Sequence, residues 1–130
     1  MKNYYSISSE NPPKASELLK LFNQTSWAKK RSIDGIQTLL ENTQIFVTIR
    51  KDSILIGYGR AISDGIYRAL IDDIVIDENY RKKELGKNVL NNLLEKLQGV
   101  DEIFLNTGEH LEMFYEKFGF ERAKCLTMKL

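Results

Sequence analysis

Residues 70–106, LIDDIVIDENYRKKELGKNVLNNLLEKLQGVDEIFLN, decide the fold. Ile71–Ile76 is almost continuously apolar and is broken only by Asp72 and Asp73, the texture of a strand buried on both faces. From Gly86 to Gln98 the residues Val89, Leu90, Leu93, Leu94 and Leu97 form one stripe at helical spacing, and Gly99 is the stop. Asp101–Asn106 (DEIFLN) then reads as a short strand. Strand, helix and strand make a βαβ unit, so this part of the sheet is expected to be parallel, with a right-handed crossover.

Upstream, three β-branched and aromatic runs follow one another: Gln44–Lys51, Ser53–Ser63 and Ile66–Asp77. Their connections, Lys51-Asp52 and Asp64-Gly65, are short enough for hairpins, which predicts an antiparallel meander. Before them come a strand over Lys2–Ser8, a turn to Pro13, and a helix from Lys14 with Ala15, Leu18, Leu19 and Phe22 on one face. A second helix carries Ile33, Ile36, Leu39 and Leu40, with Ser32 or Asp34 as N-cap. Trp27 lies between the two helices. Downstream, Leu111–Phe118 reads as a short helix stopped at Gly119, and the remainder, ending CLTMKL, as a last strand. No repeat or linker interrupts the chain, so residues 1–130 are read as a single α/β (α+β) domain.

Composition narrows the function. Nineteen basic and eighteen acidic side chains leave a net charge of +1, too little to draw nucleic acid or an anionic membrane to the chain as a whole. The single Cys125 cannot close an intramolecular disulfide, and with His110 as the lone histidine no metal site is expected. Cys125 itself reads as a small buried hydrophobe. Residues 1–20 lack the apolar run of a signal peptide, and a cytoplasmic setting is the simplest expectation.

Charge concentrates in one place. The loop Glu78–Lys87, ENYRKKELGK, sets Arg81, Lys82 and Lys83 at the start of the long helix, where the first amides have no internal partner. Cations there oppose the helix dipole unless an anion answers them, so the loop is either a phosphate site or a solvated basic turn.

Asp73–Leu90 resembles the acyl-CoA-binding motif of the GNAT (GCN5-related) N-acetyltransferases, a strand running into Arg/Gln-x-x-Gly-x-Gly/Ala and a helix. Arg81 matches the opening residue and Gly86 the closing glycine, whereas Glu84 stands where the first glycine usually is. Phe114-Tyr115-Glu116-Lys117-Phe118-Gly119-Phe120 is similar to the family's FYEK-x-GF signature, in the expected order along the chain. The resemblance implies a mixed, centrally splayed sheet of about six to seven strands with about four helices. It implies acetyl-CoA as cosubstrate, without a metal, and a primary amine as acceptor.

Residue by residue, the resemblance implies that the free backbone of Ile74, Val75 and Ile76 pairs with the pantetheine arm like an added strand. The backbone of Arg81, Lys82, Lys83, Glu84, Leu85, Gly86 and Lys87 cradles the pyrophosphate, with a carboxylate at Glu84 working against it. Asn106 is the candidate to bond the cofactor arm, although the family's asparagine falls at Gly108 here. Tyr115 is the proton donor to the departing thiolate, its ordinary pKa near 10 suiting that leaving group. Asp72 and Asp73 are the candidates for general base, directly or through water. Strand alternation places them on opposite faces, so at most one meets the acceptor. Trp27 is either an apolar wall for the acceptor or core packing, with packing preferred, and His110 reads as a cap or surface residue. The family's habit of pairing sheet edges or final strands leaves a homodimer open. A rival reading is a GNAT-fold CoA-binding or interaction module with weak or no catalysis.

Overall fold

Apolar alternation in the middle of the chain builds the sheet, and the amphipathic segments on either side cover its two faces. The computed structural model describes residues 4–130. In chain order it contains β1 (Ser6–Ser8), α1 (Ala15–Phe22), α2 (Ile33–Glu41), β2 (Ile45–Lys51), β3 (Ile54–Ser63), β4 (Arg68–Ile76), α3 (Leu85–Lys96), β5 (Glu102–Leu105) and α4 (Glu112–Glu116). Single 3-10 turns precede α3 and α4, at Glu78–Tyr80 and Glu109–Leu111. The five strands lie in the order β1-β2-β3-β4-β5. β1 to β4 are antiparallel, and β5 joins β4 in parallel through α3, as the βαβ reading requires.

The described residues hold five strands rather than six or seven. The segment 121–130 is exposed throughout and enters no strand, although its ending alternates like one. Pairing, not pattern, makes a strand, and CLTMKL has no backbone partner here. For the same reason Cys125 is exposed rather than buried. At the other end, the strand predicted over Lys2–Ser8 is confined to Ser6–Ser8, and its first positions lie outside the described residues.

Local signals explain most boundaries. Ser32 caps α2 by accepting from the Gly35 amide at 3.0 Å. Asp52 and Ser53, with φ of 51° and 68°, both adopt the left-handed conformation that suits a tight hairpin between β2 and β3. Between β3 and β4 the Asp64 carboxylate accepts from the amides of Ile66, Tyr67 and Arg68, which holds the turn closed.

Two cores result. On one face α3 lays Val89, Leu90 and Leu93 against Val47, Ile49 and Ile71. On the other, Leu18, Phe22 and Ile36 of α1 and α2 cover Phe46, Tyr58 and Val75. A Cβ at Gly59 would stand 2.5 Å from Cγ1 of Val89, so the missing side chain is what lets α3 close on β3.

Two irregularities distinguish β4 from its neighbours. Arg60 pairs with Asp72 and Tyr58 with Val75, so Asp73 and Ile74 together oppose Gly59 in a β-bulge, with Asp73 at φ 57°. The extra residue exchanges the faces: Ala69 and Ile71 lie toward α3, whereas beyond the bulge Val75 lies toward α1 and α2. The second irregularity is a parting of strands. β5 pairs with β4 only over Arg68–Ile71, and β4 then runs on to Ile76 with β3 as its one neighbour. The sheet is therefore splayed between β4 and β5.

Candidate active site

The wedge where β4 and β5 part opens into a cleft of about 810 Å³. One wall is the connector between α1 and α2, Gln24–Trp27; the floor is Ile71–Ile74 of β4. The opposite wall runs from Leu105 to Gly108 and continues into His110, Leu111 and Tyr115, and Arg81 closes the rim. Asp72, Asp73, Ile74, Arg81, Asn106 and Tyr115, all singled out from the sequence, thus meet at one cavity.

Beyond Ile71 the edge of β4 turned toward the wedge has no strand beside it, while its other edge remains tied to β3. Ile74 and Ile76 pack partly buried on the α3 side and Val75 is buried on the other; of the three, Ile74 lines the cleft, and Val75 and Ile76 continue the same edge past it. Arg81 bends back, its Nε donating to the Ile76 carbonyl at 3.4 Å.

The remaining loop residues divide. Lys82, Lys83, Glu84 and Lys87 are exposed, and Leu85 is instead a core residue, 2% exposed, so only its amide can serve a ligand. Gly86 lies half-buried beside Phe114. Lys82 and Glu84, at φ 64° and 61°, are both left-handed, which bends the loop sharply into α3. At Glu84 that conformation accounts for a glycine in the related motif, since an L side chain resists it. The Glu84 side chain makes no capping hydrogen bond.

The two aspartates depart from expectation. Simple alternation would separate them, but the bulge turns both toward Arg60, whose Nε donates to Asp73 at 2.7 Å and whose Nη2 donates to Asp72 at 3.3 Å. Arg31 adds a second donor to the same Asp73 oxygen at 2.9 Å. The Asp73 side chain is fully buried, and its other oxygen has no partner among the described residues. Asp72 is half-exposed to the cleft. Burial, and then the charge of Asp73, raise its carboxyl above the ordinary carboxylate value, with Arg60 pulling the other way.

Tyr115 stands across the cleft, edge-on to Phe114 and Phe120 at 5.0 and 6.0 Å. Burial raises its phenol above the ordinary value, so it stays protonated further into the alkaline range. Asn106 lines the same wall and is met by the Thr127 hydroxyl at 3.3 Å.

Several site residues escaped the sequence reading. Trp27, preferred there as packing, is 53% exposed and forms part of the wall. His110, read as a cap or surface residue, is exposed but turned onto Gly108 and lines the cleft; a Cβ at Gly108 would stand 2.8 Å from its ring. Arg31 and Arg60 were not singled out, because arginines at 42 and 13 residues from Asp73 carry no local signal. Gly59, opposite the bulge, was the available hint.

A second cavity of about 330 Å³ lies on the outer side of β5, between that strand, α4 and the segment holding Cys125 and Thr127. It shares Asn106 and Tyr115 with the cleft.

Comparison with known proteins agrees with this fold. The sequence pattern of an acetyltransferase (GNAT) domain matches residues 13–127. An uncharacterised N-acetyltransferase, ycf52, of Pyropia yezoensis is 33% identical over 110 residues, 80% of this chain and 63% of the relative. The chain spans 48–63% of the length of the first four curated relatives it matches. Among solved structures, a probable acetyltransferase of Staphylococcus aureus superposes with a TM-score of 0.85 at 20% identity, covering 98% of both chains. An aminoglycoside N-acetyltransferase solved with CoA superposes with a TM-score of 0.78 at 14% identity, covering 100% of this chain and 96% of that one.

Proposed function

Because the chain belongs to the GNAT acetyltransferase family, we propose that it transfers an acetyl group from acetyl-CoA to a primary amine of a small molecule or peptide, by direct transfer in a ternary complex. The observation that carries this reading is the wedge itself. A free backbone edge and a titratable carboxylate of β4 face, across one cavity, a phenol of α4.

The residues present fit acetyl-CoA. The unpaired edge over residues 74–76 suits the amides of a pantetheine arm, as an added strand would. Arg81 and the first amides of α3 suit the pyrophosphate, with Lys82, Lys83 and Lys87 adding positive charge at the rim. Asn106 is within the same wall.

Asp72 is the better base of the two carboxylates. Asp73 already holds two guanidinium groups on one oxygen, whereas Asp72 is open to the cleft and its raised proton affinity suits uptake of a proton from the acceptor ammonium, directly or through water. The neutral amine then attacks the thioester carbonyl. The C–N bond forms, the C–S bond breaks, the thiolate takes the Tyr115 proton, and the proton shed by the new amide nitrogen passes through water to restore the phenol. A cytoplasmic setting accords with a chain whose lone cysteine is exposed.

Calorimetric titration with acetyl-CoA tests the first step; absence of binding at millimolar concentration removes it. Tyr115→Phe is expected to lower kcat about 10²- to 10⁴-fold with little change in acetyl-CoA affinity, and an unaltered kcat removes Tyr115 from the chemistry. A second reading, a CoA-binding or interaction module with little catalysis, is favoured by one feature, the carboxylate of Glu84 at the loop.

A further inference from the structure

The connector between α1 and α2 has no regular structure of its own, yet it forms a whole wall of the cleft. It is tied at one end to the turn that follows β4 and at the other to β4 itself. At Gln24, the side-chain amide donates to Asp77 at 3.1 Å and its oxygen accepts from the Glu78 amide at 2.9 Å, just past the end of β4. At Arg31, the guanidinium donates to the bulged Asp73 at 2.9 Å.

Arg31 does a second thing. Its guanidinium carbon lies 4.8 Å from the Phe22 ring centroid and 5.8 Å from that of Trp27, and the two rings meet edge to face at 6.1 Å. A planar guanidinium can serve a carboxylate at its edge and aromatic rings at its face together, which an ammonium cannot. Asp73, left-handed and buried, is itself fixed by Arg60. The chain of contacts therefore runs from β3 through Asp73 and Arg31 to Trp27.

We propose that Asp73 and Arg31 are positioning residues that hold Trp27 and its connector across the open end of the wedge, and so set the width of the cleft on the side opposite Tyr115. That this side admits the amine acceptor rests on the acetyl-transfer reading; the tether does not.

Trp27 is the protein's sole tryptophan, so its fluorescence reports the wall directly. Because it is 53% exposed when docked, release in Arg31→Ala is expected to raise acrylamide quenching roughly twofold and shift emission to the red, in a protein that still melts cooperatively. Arg31→Lys, which keeps the charge but loses the fork and the stacking, should fall between. Arg50→Ala breaks a comparable ion pair with Glu17 elsewhere and should leave Trp27 unchanged. Wild-type quenching in folded Arg31→Ala, or an equal rise in Arg50→Ala, overturns the proposal. Should Arg31→Ala not fold, Arg31→Lys, which keeps a charge beside Asp73, takes its place, and wild-type quenching there overturns the proposal equally. Failure of the wild type to bind acetyl-CoA would remove the acetyl-transfer reading and leave these fluorescence results standing.

Discussion

Replacing Glu84 by glycine alters backbone and charge together, and the structure separates the two effects. Glu84 sits at φ 61°, ψ 16°, ahead of α3. Left-handed backbone costs an L residue about 1–2 kcal/mol, and glycine returns about 0.5–1 kcal/mol of that as extra freedom in the unfolded chain. Losing a carboxylate at a helix start removes a further 0.3–1 kcal/mol or so of favourable dipole interaction. Stability should therefore change by less than about 1 kcal/mol. Affinity for acetyl-CoA should not stay still. An exposed carboxylate about 4 Å from one phosphate charge costs about 1 kcal/mol in water, and a pyrophosphate carries more than one charge, so the variant should bind roughly tenfold tighter at low salt. Calorimetric titration at low and high ionic strength measures the gain, which should shrink as salt screens it. Glu84→Gln retains the strain and loses the charge, so it should share the gain. Equal affinity in all three proteins, at low salt, would refute the placement of pyrophosphate at this loop.

Other consequences are more local. A base must be ionised to work, so the acid limb of kcat/KM should be displaced upward from that of an ordinary aspartate, by burial of Asp72 and then by the neighbouring Asp73; Asp72→Asn should abolish that limb in a pH–rate profile. Glu17 is held down to about 2, first by its hydrogen bond from Arg50, so its stabilisation is complete above the ordinary value of 4.5 and lost as pH falls toward 2. Glu17→Gln should cost about 1 kcal/mol at neutral pH, after allowing for solvent screening, and flatten stability across that acid window in urea titrations. Gly59→Val should lower stability by about 1–3 kcal/mol, because its Cβ alone would meet Val89 at 2.5 Å; an unaltered melting temperature would contradict the packing of α3 on β3.

Much of this architecture was legible because it rests on local signals. The meander, the βαβ unit and the long helix follow from period-2 and period-3.6 patterns over Gln44–Asn106, and the structure matches them to within a few residues. Tyr115 and Arg81, each taken from one of the two motifs, both line the cleft. What failed was everything that depends on distant partners. The bulge at Asp73 exists because Arg60 and Arg31 stabilise a buried carboxylate from other elements, and a one-residue slip of this kind is invisible to alternation. Segment 121–130 shows the converse, a strand pattern at Leu126 and Met128 with no strand alongside to accept it. Trp27 looked like packing because an aromatic between two helices usually is; only the wedge makes it a wall.

The abrupt end of pairing between β4 and β5 also gives one strand two rates of opening. Amide protons of β4 directed at β3 are locked in an interior ladder, while those directed at the wedge beyond Ile71 meet no carbonyl from β5. Hydrogen exchange should therefore divide neighbouring positions within a single strand, fast and slow, in the free protein. Any molecule that completes the ladder will erase that division, so the strand carries its own isotopic record of whether the cleft is filled.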